Sequence, residues 1–308
     1  MVPLKPGTAV VVLLGVAAGA VHALPPRPAK PNVLLLISDD LRPQLDAAGY
    51  CTDGAPVATP NLKKLSSESV VFTRAYVQEA LCAPSRNSFL SGRRPDTPQA
   101  WQFVDSFREA AVNGSAWTAL PQLFLEGGWA TVGAGKIYHP HLPPNWDMDK
   151  SWDKRMSDGT WQNWMYPAEP RCPQGTVGCG IDDSSGDAAL FEDSQTTKVA
   201  LEQLRNVSKL GGPWFVAAGY RKPHVQWRVP ARILDAYPPA SAMPLPATRD
   251  FPRGAPAIAF HQPVDDFLQA FSDVQDCGGT DKCSPLSHFN DSCTQTWRRQ
   301  YWAAVTCE

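Results

Sequence analysis

The segment Asn32–Asp40 (NVLLLISDD) sets five consecutive apolar residues before a polar end. A short apolar run of this kind predicts a strand buried on both faces, as in a parallel sheet covered by helices. Trp129–Ala134 and Trp214–Ala218 read the same way. Helical patterns precede both of these later runs. Thr118–Glu126 is stopped by Gly127 and Gly128, and Asp193–Asn206 by Gly211 and Gly212. Thr59 and Pro60 supply an N-cap and a first-turn proline for a helix running towards Val70. Strands alternating with helices predict an α/β fold with a doubly wound sheet. Asn145–Asp187 carries four Trp with little periodicity and reads as a long surface insertion. Within it, Cys172 and Cys179 are close enough to close a small disulfide loop. Pro238–Pro263 is a second irregular, Pro-rich segment. Ser292–Glu308 has a helical pattern through Trp297, Tyr301, Ala304 and Val305, with no capping signal at its end.

The 308 residues are 43% hydrophobic and carry a net charge of −2, which argues against disorder and against a general nucleic-acid binder. Residues 1–23 read as a cleavable secretory signal: Lys5, an apolar stretch over Ala9–Ala20, and small residues at Val21 and Ala23. No later apolar run is long enough to span a membrane, so the mature domain is expected over residues 24–308. Asn-x-Ser triplets at Asn113, Asn206 and Asn290 are candidate glycosylation sites and agree with the secretory route.

Each buried-strand candidate runs into ionisable residues: Asp39-Asp40, then Lys136 and His139, then Arg221-Lys222-Pro223-His224. In open α/β sheets the ligand crevice lies outside the carboxyl ends of the strands, so the three tails would meet there. The Asp pair could ligate a hard divalent cation, or Asp40 could cap a turn while Asp39 stays solvated. In LCAPSRNSFLSGRRP, Pro84 fits the first turn of a short helix and Gly92 its end. Cys82 would then sit at a helix N-terminus that favours an anion, with Arg86 one turn later to clamp an oxyanion. A disulfide cysteine capping a helix is the plainer alternative for a secreted chain.

CAPSRNSFLSGRRP resembles the first signature of the type I sulfatases, and GWATVGAGKIYHP resembles the second. Trp129 stands where Tyr is usual and Ser91 where Thr is common. The resemblance runs from about Asn32 to Cys307. It implies an alkaline-phosphatase-like fold, with a mostly parallel sheet flanked by helices. It further implies that Cys82 is oxidised to formylglycine by the formylglycine-generating enzyme, and that Asp39, Asp40 and residue 82 bind Ca²⁺. Formylglycine hydrate would attack the ester sulfur and later expel sulfate, a cycle the thiol cannot complete. Arg86 would hold the hydrate, Lys136 the sulfate, and His139 the hydroxyl that collapses. His224 would contact sulfate and protonate the leaving alcohol.

SDDLRP, CAPSR with GRRPDT, GKIYHP and GYRKPH together resemble the branch that removes 2-O-sulfate from iduronate. The expected partner is a sulfated glycosaminoglycan, heparan or dermatan sulfate, and the expected compartment the lysosome. Another glycan sulfatase is the alternative substrate reading, whereas phosphate-ester hydrolases of this superfamily carry Ser or Thr where Cys82 stands. The same resemblance implies that a further strand with an Asp-His pair, a Lys and a smaller C-terminal subdomain are absent. The sheet is therefore expected to be incomplete at the C-terminus, and a catalytically dead sulfatase-like fragment is a third reading. Besides Cys82 there are seven cysteines, Cys51, Cys172, Cys179, Cys277, Cys283, Cys293 and Cys307, an odd number with no Cys-x-x-Cys spacing. His141, His261 and His288 are expected at the surface.

Overall fold

The three apolar runs form β1 (Val33–Ser38), β2 (Ala130–Gly135) and β4 (Trp214–Tyr220). They pair in parallel in the order β1-β4-β2. The computed structural model describes residues 30–46, 57–103, 105–109, 114–156, 172–186, 191–248, 254 and 289–307. The leader expected at residues 1–23, Asn113, Cys51, Cys277, Cys283, His261 and His288 lie outside these. In register, Ser38 lies opposite Tyr220 and Gly135 opposite Gly219, so the three strands end level. Asp39, Lys136 and Arg221 therefore leave the sheet along one edge, where parallel sheets place their ligand crevices.

Alternation along β4 sorts two cores. Phe215 and Ala217 face Leu90, Phe107, Tyr138 and Trp152, while Val216 and Ala218 pack with Val207 and Ala200 of α5 (Glu192–Ser208). β1 departs from the expectation of burial on both faces. Val33, Leu35 and Ile37 join the first core, but Leu34 and Leu36 remain 49% and 54% exposed. The reason is the placement of α5, which lies over β2 and β4. β1 also stops at Ser38, because Asp40 turns to a left-handed φ of 62°.

The first helix, α1 (Pro60–Ser67), ends before Val70. The hydroxyls of Ser66, Ser67 and Ser69 donate back to the carbonyls of Lys63, Lys64 and Leu65, an alternative to helix propagation. Thr59 does not cap it; its hydroxyl accepts the Asp46 N–H instead. α2 (Cys82–Ser91) ends as expected at Gly92, whose φ of 66° suits a residue without Cβ. α3 (Leu120–Glu126) leads into β2.

The 145–187 segment is not only a surface insertion. It opens with α4 (Met148–Ser151), and Trp152 is buried in the main core beside Tyr138. Asp147 accepts both Arg108 (2.7 and 2.9 Å) and Ser151 (2.5 Å), and Ser151 bonds the Tyr138 hydroxyl. Residues Gly178–Ile181 form β3, parallel to β5 (Trp227–Pro230). Cys172 and Cys179 form a disulfide at the entry to β3. α6 (Ala231–Asp235) follows β5.

α7 (Asp291–Thr306) is capped by Asn290, whose side chain accepts the Cys293 N–H. It packs on β5 through Trp297, Tyr301 and Trp227. Cys293 is disulfide-bonded. Asn206 lies in the last turn of α5. No described helix is long and apolar enough to cross a membrane.

Candidate active site

Two glycines set the depth of the crevice. A Cβ on Gly135 would meet the Gly219 carbonyl oxygen at 2.2 Å, and one on Gly219 the Lys136 carbonyl oxygen at 2.1 Å. Without side chains the ends of β2 and β4 close together, and the Lys136 N–H donates to the Gly219 carbonyl (2.8 Å). This turns the buried Lys136 side chain inward, where its ammonium bonds Asp39 and lies 3.6 Å from the Cys82 sulfur.

α2 brings Cys82 and Arg86 to the same place. Cys82 is the first residue of the helix, and its sulfur lies 3.5 Å from the Asp39 carboxylate and 3.9 Å from that of Asp40. Arg86, one turn on, is 3% exposed. Its guanidinium donates to Asp39 (2.8 Å), to the Ile137 carbonyl (3.0 Å) and to the Lys136 carbonyl. Through these bonds Arg86 fixes Asp39 and the 136–137 turn.

β4 delivers His224, whose Nε2 is 4.0 Å from Asp40. Ligand atoms of Asp39, Cys82 and His224 all lie within 4.8 Å of one another. His139 follows β2 through Tyr138, with its ring 5.0 Å from Phe103 and its Nδ1 on the Pro140 carbonyl. His141 is exposed, with its ring 5.7 Å from Trp146.

The charges are arranged around Asp39. Burial opposes its ionisation, but Arg86, Lys136 and His224 outweigh that and hold it well below the usual carboxylate range. Asp40 keeps 51% of its side chain open while protein crowds its inner side. That crowding and the Asp39 charge push it up to about 6. Burial and Asp39 push the Cys82 thiol up to about 12, so the thiol is a poor nucleophile here. Burial and Lys136 lower His139 to about 4; burial, Lys136 and Arg221 lower His224 to about 3. Both imidazoles are therefore neutral at mildly acidic pH.

Asp193, read from the sequence only as the start of a helix, and Glu192, which the sequence reading did not single out, build the loop behind His224. The Asp193 carboxylate accepts the N–H groups of Arg221 (2.7 Å) and Lys222 (2.9 Å). Buried Glu192 contacts Arg221 at 3.2 Å, Lys222 at 3.5 Å and Arg228 at 3.6 Å. The signal that could have found them is the acidic pair at a helix N-terminus, set against RKPH and Arg228 at the end of the next strand.

The Sulfatase family profile matches residues 31–274. The chain belongs to the sulfatase family. It is 34% identical to the iduronate 2-sulfatase of Homo sapiens over 250 residues, which cover 79% of the chain and 44% of that relative. It is 31% identical to the iduronate 2-sulfatase of Mus musculus over 282 residues, 89% of the chain and 49% of the relative. The chain thus spans about half the length of the curated relatives it matches. Among solved structures it resembles the phosphonate monoester hydrolase of Agrobacterium radiobacter, with a TM-score of 0.53 at 18% identity. That match covers 90% of this chain and 56% of the other. The fold is accordingly the alkaline-phosphatase-like fold of the sulfatases.

Proposed function

We propose that this sulfatase hydrolyses the 2-O-sulfate ester of iduronate residues in heparan or dermatan sulfate, and that Cys82 is its catalytic residue after oxidation to formylglycine. The observation that carries the reading is the convergence of Cys82, at the head of α2, with Asp39, Asp40, Lys136 and His224 in one crevice. The likeness to the human and mouse iduronate 2-sulfatases supports the sugar and the sulfate position.

The donor set fits a hard cation: two carboxylates and the side chain of residue 82 face one another. Asp39, Asp40 and residue 82 would hold Ca²⁺, which supplies Lewis-acid stabilisation of negative charge. Formylglycine supplies the oxygen nucleophile that a thiol near pKa 12 does not.

The remaining work falls to this chain's own groups. The Lys136 ammonium, buried and aimed at residue 82, draws in the sulfate group and offsets its charge. His139 is neutral and can accept a proton at its free ring nitrogen. His224 is also neutral, so it becomes a proton donor to the leaving alcohol only when a bound anion offsets Lys136 and Arg221. Asp193 holds the backbone before His224, which limits the freedom of that loop.

The segment 1–23 and the triplets at Asn113, Asn206 and Asn290 support entry to the secretory pathway and glycosylation there. Modification by the formylglycine-generating enzyme and delivery to the lysosome complete the reading.

The test is a substrate panel at acidic pH with calcium: a disaccharide bearing 2-O-sulfated iduronate, a 6-sulfated N-acetylgalactosamine and a phosphate monoester. The iduronate disaccharide is expected to have the highest kcat/KM. A higher value for either of the others would replace the substrate assignment.

Calcium uptake should depend on pH in a definite direction. With Asp40 raised to about 6, a proton competes for that carboxylate below this pH. Affinity is expected to be flat above about pH 7 and to weaken up to about tenfold per pH unit below 6. Titration calorimetry across that window checks it, and a constant affinity would contradict the place given to Asp40.

A further inference from the structure

We propose that Tyr301, on α7, is a positioning residue that fixes the turn presenting Asp39 and Asp40, and so presets those carboxylates for the cation. The inference deepens the calcium reading above and rests on it for its consequence. Its geometry is independent of that reading.

The turn gains from an external support. β1 ends at Ser38, and Asp40 takes a left-handed φ of 62°, a conformation uncommon for residues with a Cβ although Asp tolerates it better than most. Beyond the strand end the Asp40 carbonyl and the Arg42 N–H have no place in the β1–β4 ladder. Both meet one hydroxyl. Tyr301 donates to the Asp40 carbonyl (2.9 Å) and accepts the Arg42 N–H (2.8 Å), although 261 positions separate it from Asp40. A tyrosine hydroxyl is suited to this, because it is donor and acceptor at one atom.

The hydroxyl is itself held in place. The Tyr301 ring lies edge-on to Trp227, with centroids 5.6 Å apart, on a helix whose next four residues are buried. The Asp40 side chain leaves the same backbone, and its carboxylate lies 3.9 Å from Cys82 and 4.0 Å from His224. A shift of this turn therefore moves one of the carboxylates assigned to the cation.

The experiment compares the full chain with its Tyr301→Phe variant, which keeps the ring against Trp227 and removes only the hydroxyl. Tyr237→Phe is the control. Tyr237 also bonds through its hydroxyl, to Thr306 of α7 and to the Ala58 N–H, away from the Asp40 turn. Two readouts are taken: hydrogen exchange at the Arg42 amide, and calcium affinity by titration calorimetry.

In Tyr301→Phe the Arg42 amide is expected to exchange about tenfold faster, as for loss of one hydrogen bond. Calcium is expected to bind about 10- to 100-fold more weakly, the usual cost of losing an outer-shell partner. Tyr237→Phe should change neither. Unchanged Arg42 exchange overturns the proposal. So does faster exchange with unchanged calcium affinity, or an equal loss of affinity in the two variants. A wild-type chain that takes up no calcium defeats the calcium reading, and Arg42 exchange then decides alone whether Tyr301 holds the turn.

Discussion

Arg86→Met is expected to destabilise the protein by about 3–5 kcal/mol and to abolish sulfate release. The guanidinium is buried, and it joins Asp39 to the carbonyls of Lys136 and Ile137. A methionine replaces the aliphatic stem but not the guanidinium, and it leaves two buried carbonyls without that donor. Asp39 keeps only Lys136 as a direct cationic partner. Breaking one side of a buried ion pair costs far more than the pair contributes, because the surviving charge remains out of water. Arg86→Lys is expected to rescue little, since one ammonium cannot reproduce bonds in three directions from a rigid fork. Urea unfolding midpoints measure the loss. A midpoint for Arg86→Met close to wild type would show that Asp39 does not depend on Arg86.

Glu192→Gln is the second large effect expected. The change keeps the shape and removes one charge at a site where three cations, Arg221, Lys222 and Arg228, converge on a single carboxylate. The expected cost is again about 3–5 kcal/mol, from loss of the buried negative charge that the three cations share. Burial raises the Glu192 pKa, and the three cations counter that. The consequence extends to the crevice, since Arg221 and Lys222 are the residues whose N–H groups Asp193 holds just before His224. Turnover should therefore fall further than the folded fraction does. Stability and turnover unchanged in Glu192→Gln would remove this cluster from the account.

The central sheet was legible in the sequence because its strands are short apolar runs that end in ionisable residues. Parallel register then brings those ends level without further information. Asp39, Lys136 and His224 converge for that reason, and α2 adds Cys82 and Arg86. The supports of the site were not legible. Tyr301 reads as one more residue of an apolar helical face, Asp193 as the first residue of a helix, and Glu192 falls just outside that pattern. Their roles come from contacts between elements remote in the chain, which periodicity does not encode. The same limit explains β1: a run of five apolar residues predicts burial, but which face α5 covers is decided by tertiary packing. Arg86 sits on α2 where the helix pattern puts it, and its bond to Asp39 is one more contact that the pattern does not encode.

The most direct measurement is sulfate release from a 2-O-sulfated iduronate disaccharide at acidic pH with calcium. It compares this 308-residue chain, secreted from a cell that makes formylglycine, with its Cys82→Ala variant. The account predicts release by the first and none above background by the second. Folded preparations of the two that release sulfate equally, or not at all, would contradict it.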